Sequence, residues 1–130
     1  MTRDETLSFL TRYLKAIEEG QGSADFYHAD AVFTEHPNRI SPNGRVARLG
    51  DIKAAAGRGN ALLERQTYEI KSAVIEGDRA ALCVEWMGVL KMPVQTLEPG
   101  DVMRAHFAQF YEFRDGLIWR QSTYDCFEPW

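Results

Sequence analysis

Near the start of the chain Leu7, Leu10, Leu14 and Ile17 recur three or four positions apart, with Arg12, Lys15, Glu18 and Glu19 falling mainly elsewhere. That period marks one apolar face of an α-helix. Thr2 and Glu5 have the spacing of a capping box, in which the threonine hydroxyl takes an orphan N–H and the glutamate reaches back to the cap. Gly20 supplies a C-terminal stop. Ser23 then caps a short second helix through Phe26 and Tyr27, and residues 31–35 read as a short strand that ends before Pro37. Residues 38–50, with Pro42, Asn43, Gly44 and three arginines, show no apolar period and are expected to form a long surface loop, placed to act as a lid. Another helix is expected over residues 51–65, although Gly57 and Gly59 each cost about 1 kcal/mol relative to alanine.

Beyond that helix the period changes to two and stays there. Residues 67–75 and 80–90 flank Gly77-Asp78, and residues 103–113 and 117–127 flank Arg114-Asp115-Gly116, so the chain closes on two long hairpins. Within 103–113 the alternation gathers Met103, Ala105, Phe107, Gln109, Tyr111 and Phe113 on the more apolar face, which should point inward. Helices first and strands second give a single α+β domain over 1–130, its N-terminal helices packed on a mostly antiparallel sheet. Strands of about eleven residues coil strongly, and a curved sheet closed by helices is a cone-like roll around a pocket. The outer face of the last two strands mixes Arg104, His106 and Phe110 with Ile118 and Tyr124, and this apolar area predicts a homodimer.

Composition narrows the function classes. With 130 residues, 45% of them hydrophobic and 26% charged, the chain supports its own core. A net charge of −4 argues against nucleic acid and against an anionic membrane surface as partners. Arg39, Arg45 and Arg48 read as a solvated loop cluster. Cys83 and Cys126 lie in apolar runs without CxxC spacing or a histidine set for zinc, and are expected to be small buried hydrophobes. Without a basic, then apolar N-terminal segment or a run of 18 apolar residues, the cytoplasm is the expected address.

The order of elements, with Thr11-Arg12-Tyr13, the run Phe26-Tyr27-His28-Ala29-Asp30-Ala31-Val32, Glu35-His36-Pro37 and Phe113-Arg114-Asp115-Gly116-Leu117-Ile118, resembles the nuclear transport factor 2-like superfamily. Within it the chain is most similar to the SnoaL-like and ketosteroid-isomerase-like branch. The resemblance implies a small bacterial-type protein, dimeric through the outer face of its sheet. Because the superfamily holds isomerases, cyclases, dehydratases, hydrolases and plain binders, chemistry has to be argued from residues.

By resemblance, Tyr13 stands where the isomerases place a tyrosine that donates to an enolate oxygen, a phenol keeping its proton to about pH 10. Its alternative is a residue bordering the apolar stripe with Phe9. His36 occupies the position of the isomerase base, and a neutral imidazole accepts a proton near neutrality. Glu35 is the adjacent carboxylate, and since strand neighbours face opposite ways only one of the two should meet the pocket, His36 being favoured. Gln109 falls where a second oxyanion donor is kept, its alternative being a buried glutamine bonded to backbone. Asp125 resembles the acid–base aspartate of SnoaL-like cyclases, its alternative being a C-terminal aspartate that caps a loop or pairs with an arginine. Phe107, Tyr111 and Trp86 are the ring-bearing candidates for substrate contact, with core or interface as the other reading of Trp86 and Trp119.

Together these predict a cofactor-free, metal-free isomerase-like or cyclase-like enzyme that moves protons on a small hydrophobic cyclic carbonyl compound. The competing prediction is a non-catalytic binder of the same shape. Convergence of Tyr13, His36 and Asp125 on one cavity favours the enzyme; a cavity that either His36 or Asp125 turns away from favours the binder.

Overall fold

The computed structural model describes residues 1–55 and 61–130. Helix α1 (Arg3–Glu18) opens on the expected capping box: Thr2 Oγ1 accepts from the Glu5 N–H, and the Glu5 carboxylate accepts from the Thr2 N–H. A single 3-10 turn (Ala24–Phe26) leads into β1 (Tyr27–Glu35). The strand thus starts four residues earlier than the apolar pattern indicates, because Tyr27 already pairs with Ile118.

The segment read as a loop over 38–50 contains β2 (Arg45–Arg48), paired antiparallel to β1 so that Arg45 lies opposite Glu35. Gly44 makes this return possible. It takes φ +63°, and a Cβ there would meet the Glu35 carbonyl oxygen at 2.5 Å. Helix α2 (Leu49–Ala55) begins two residues before the expected start. Residues 56–60, with Gly57 and Gly59, lie outside the described residues, and from Leu63 the chain is already strand.

Four long strands follow: β3 (Leu63–Glu76), β4 (Arg79–Leu90), β5 (Val102–Arg114) and β6 (Leu117–Phe127). The sheet order is β2-β1-β6-β5-β4-β3, with β1 parallel to β6 and the other pairs antiparallel. Register shifts between Ile70 and Ser72 in β3 and between Ile118 and Arg120 in β6 interrupt the ladders, and such bulges bend strands. The sheet keeps two edges and curls around α1 as an α+β cone rather than a closed barrel.

The core lies between α1 and the inner face. Leu10, Leu14, Leu82, Tyr111 and Ile118 are buried there, and Phe9 meets Phe113 edge-to-face at 5.6 Å. Alternation along β6 places Ile118 on the outer surface; the extra residue Trp119, between Ile118 and Arg120, shifts the phase and turns Ile118 inward, fully buried. Cys83 and Cys126 are likewise corrected, since both are exposed. Leu82 and Val84 take the inward positions of β4, and alternation leaves Cys83 on the far face. Among the described residues no helix is long and apolar enough to cross a membrane.

Candidate functional site

The inner face of the sheet, α1 and α2 leave a cavity of about 500 Å³ at the wide end of the cone. One side is apolar, with Ile17 from α1, Ile52 from α2, and Trp86, Phe107 and Phe127 from the sheet. Trp86 and Phe107 stack at 5.6 Å, and Trp86 Nε1–H donates to Gln66 Oε1 at 3.0 Å, which holds the indole in place.

The opposite side is polar and comes from β1, β2, β5 and β6. Tyr13, Glu35, Gln109 and Asp125 all line this space. His36 does not. Its ring stacks on Tyr124, 4.1 Å between centroids and 13° from parallel, on the outer face. The expectation that His36 points inward is therefore corrected: Glu35 takes the inward position, and alternation sends His36 the other way. The base assigned to His36 goes with it. Tyr111 is also outside the lining, one layer behind, where its O–H donates to Gln109 Oε1 at 2.6 Å.

Tyr13 belongs to a closed ring of bonds. Tyr27 O–H donates to Gln121 Oε1, and Gln121 Nε2–H donates to the Tyr13 oxygen at 3.2 Å. With Tyr27's only proton given to Gln121, Tyr13 must give its own to Tyr27 across 2.6 Å. Burial lifts the pKa values of both phenols, so the ring stays protonated. Gln109 differs: Tyr111 occupies its carbonyl, and its amide N–H₂ has no partner among the described residues.

The two carboxylates have opposite environments. At Glu35 burial acts to raise the pKa, but bonds from Asn38 Nδ2 at 2.8 Å and Arg45 Nε at 2.9 Å, with Ser41 and the Arg45 charge, outweigh it and hold the group ionised. Asp125 is raised, first by burial and further by the nearby Glu35 charge, against a 2.6 Å bond from Thr123 Oγ1–H and the Arg45 charge. Among the described residues no group of His, Cys, Asp and Glu side chains is arranged to hold a metal.

Residues 10–121 match the SnoaL-like domain family. The chain belongs to the SnoaL-like family. No curated protein matches this SnoaL-like chain significantly. Among solved structures, AclR from Streptomyces galilaeus, provisionally assigned as a hydroxylase, superimposes with TM-score 0.79 at 17% identity, covering 98% of this chain and 83% of AclR. IdmH from Streptomyces antibioticus, provisionally a polyketide cyclase, gives 0.74 at 18% identity, covering 91% and 89%. A protein of ketosteroid isomerase-like fold from Catenulispora acidiphila gives 0.71 at 17%, covering 89% and 83%. At such identities the likeness shows the fold.

Three groups of this SnoaL-like site escape sequence reasoning. Arg45 reads as one of a solvated trio until β2 places it opposite Glu35. Tyr27 and Gln121 sit where the parallel β1–β6 pairing alone brings them to Tyr13. The signal for β2 is Gly44, whose turn returns the chain to its own first strand.

Proposed function

We propose that this SnoaL-like protein is a proton-transfer enzyme for a hydrophobic cyclic carbonyl compound, with Asp125 as the group that moves the proton. The observation carrying this reading is the state of the Asp125 carboxyl. It faces an apolar-walled cavity, one oxygen is held by Thr123, and burial raises its pKa. A carboxyl so placed gives and takes protons closer to neutrality than an ordinary aspartate. Glu35, in the same wall, is held ionised, and carboxylates pushed apart in pKa are a mark of acid–base sites.

The chemistry is an enolisation. The Asp125 carboxylate removes a proton from the carbon beside the carbonyl, the C–H electron pair becomes the new C=C bond, and the C=O π pair moves onto the oxygen. The free Gln109 N–H₂ donates to that oxygen, an amide needing no shifted pKa to do so. The proton returns from Asp125 to the same or a conjugated carbon, restoring the carboxylate. Tyr13, its proton committed to Tyr27, braces this wall rather than serving as the direct donor. The cyclase assignment of IdmH fits this class of reaction.

The test is exchange of the α-protons of methyl naphthyl ketone and a tetralone into deuterated water, followed by NMR. Wild type should accelerate exchange, and Asp125→Asn should lose about 10²- to 10⁴-fold of the acceleration. A second reading, a non-catalytic binder, is favoured by the outward His36 and the committed proton of Tyr13. Binding of these ketones without accelerated exchange decides for it.

A further inference from the structure

We propose that Arg45 selects the ligand, its free guanidinium edge receiving a carboxylate, or a comparable planar oxyanion, carried by the hydrophobic compound in the cavity. The inference rests on reading this cavity as the ligand site and adds what the ligand must carry.

Arg45 lines the cavity from β2. Its Nε–H donates to Glu35 Oε1 at 2.9 Å, and its guanidinium carbon lies 5.2 Å from the centre of the Phe33 ring. The two contacts fix the guanidinium plane. Neither Nη atom has a hydrogen-bond partner among the described residues, so the side of the fork that binds two oxygens together is vacant.

Most of the side-chain carbonyl and carboxylate acceptors of the wall already take a hydrogen bond from the protein. Gln109 Oε1 takes Tyr111, Gln121 Oε1 takes Tyr27, Gln66 Oε1 takes Trp86, and the Glu35 oxygens take Asn38 and Arg45. What stays open is the Arg45 Nη groups and the Gln109 amide as donors, the Tyr68 hydroxyl, and one oxygen of Asp125. A ligand that fits must bring acceptor oxygens. Two donor sites on separate strands suit a compound with a carbonyl at Gln109 and an oxyanion at Arg45. The Arg45 charge is felt at both Asp125 and Tyr13, which places it within electrostatic reach of the wall where chemistry is proposed.

The test compares equilibrium binding of naphthoate and methyl naphthyl ketone, read by quenching of intrinsic tryptophan fluorescence. Wild type should bind naphthoate about tenfold or more tightly than the ketone, the usual worth of a charge-assisted hydrogen-bonded pair. Arg45→Met should abolish that preference, weakening naphthoate about tenfold more than it weakens the ketone. If Arg45→Met fails to fold by circular dichroism, Arg45→Lys decides, since it keeps the charge but loses the fork and should reduce the preference. Equal affinities in wild type, no binding of naphthoate, or equal weakening of both ligands in the variant overturns the proposal. The proton-exchange assay uses neutral ketones and Asp125, so a protein silent there that still prefers naphthoate loses the enzyme reading and keeps this one.

Discussion

His36 and Tyr124 stack ring on ring across the β1–β6 junction, on the face of the sheet away from the cavity. A stacked aromatic pair contributes about 0.5–1.5 kcal/mol beyond its buried area. His36→Ala should therefore lower the melting temperature by a few degrees while leaving ketone binding and proton exchange within about twofold of wild type. A loss of exchange matching that of Asp125→Asn would restore His36 to the mechanism.

Asp125→Asn should stabilise the protein at neutral pH. The native carboxyl titrates above the ordinary value of 3.8. Between that value and its raised one, the folded chain binds more protons than the unfolded chain, so stability falls as pH rises through the window. Asparagine removes the buried charge and still accepts the Thr123 hydroxyl through its carbonyl oxygen. The gain over wild type should be full above the raised pKa and shrink to nothing as pH drops below the ordinary one. Urea unfolding at a series of pH values measures it, and a wild type more stable than the variant at neutral pH would contradict the assignment. Stability gained where function is lost is a common property of catalytic groups.

Much of this was legible from residue spacing, and the failures have identifiable causes. The capping box, the two hairpins and the inward set from Met103 to Phe113 follow from local periodicity, which depends on neighbours alone. Ile118 failed because the extra residue Trp119 in β6 shifts the phase by one, and nothing in a period-two pattern announces an extra residue. Between Glu35 and His36 alternation guaranteed that one faces in but carried no information on which. Arg45 was invisible for another reason. Its role depends on pairing with a strand formed ten residues earlier, and a four-residue edge strand is too short for a period to stand out.

Gly88→Ala should narrow the cavity. A Cβ at Gly88 would lie 2.6 Å from Cη2 and Cζ2 of Trp86 and 3.0 Å from Leu63 Cδ2. The indole cannot simply swing away, because its N–H is bound to Gln66 and its face is stacked on Phe107. Relief requires breaking that bond or moving the ring into the cavity. A destabilisation of about 1–3 kcal/mol is expected, typical of an overpacked core. Affinity for methyl naphthyl ketone should fall with it, as titration will show; unchanged affinity and melting temperature would mean that the ring has room which the geometry denies it.

The outer face of the sheet should join two copies of the chain. Phe110 and Tyr124 are about half exposed, meet edge-to-face at 5.8 Å, and stand on adjacent strands, with the more exposed Val74 out on β3. The small side chain of Ala81 lies directly beside Phe110 in the β4–β5 register. Large rings flanked by a small residue form a patch that water solvates poorly, and a twofold axis through it would let each copy cover the other's rings. Because the cavity lies on the opposite face, association should leave it accessible. The expected result is a dimer by light scattering at micromolar concentration, converted to a monomer by Phe110→Asp. That substitution places a carboxylate where the face is most apolar and touches none of the cavity residues, so the monomer should keep its ketone affinity. A wild type that scatters as a monomer, or a Phe110→Asp variant that stays dimeric, rules this surface out as the interface.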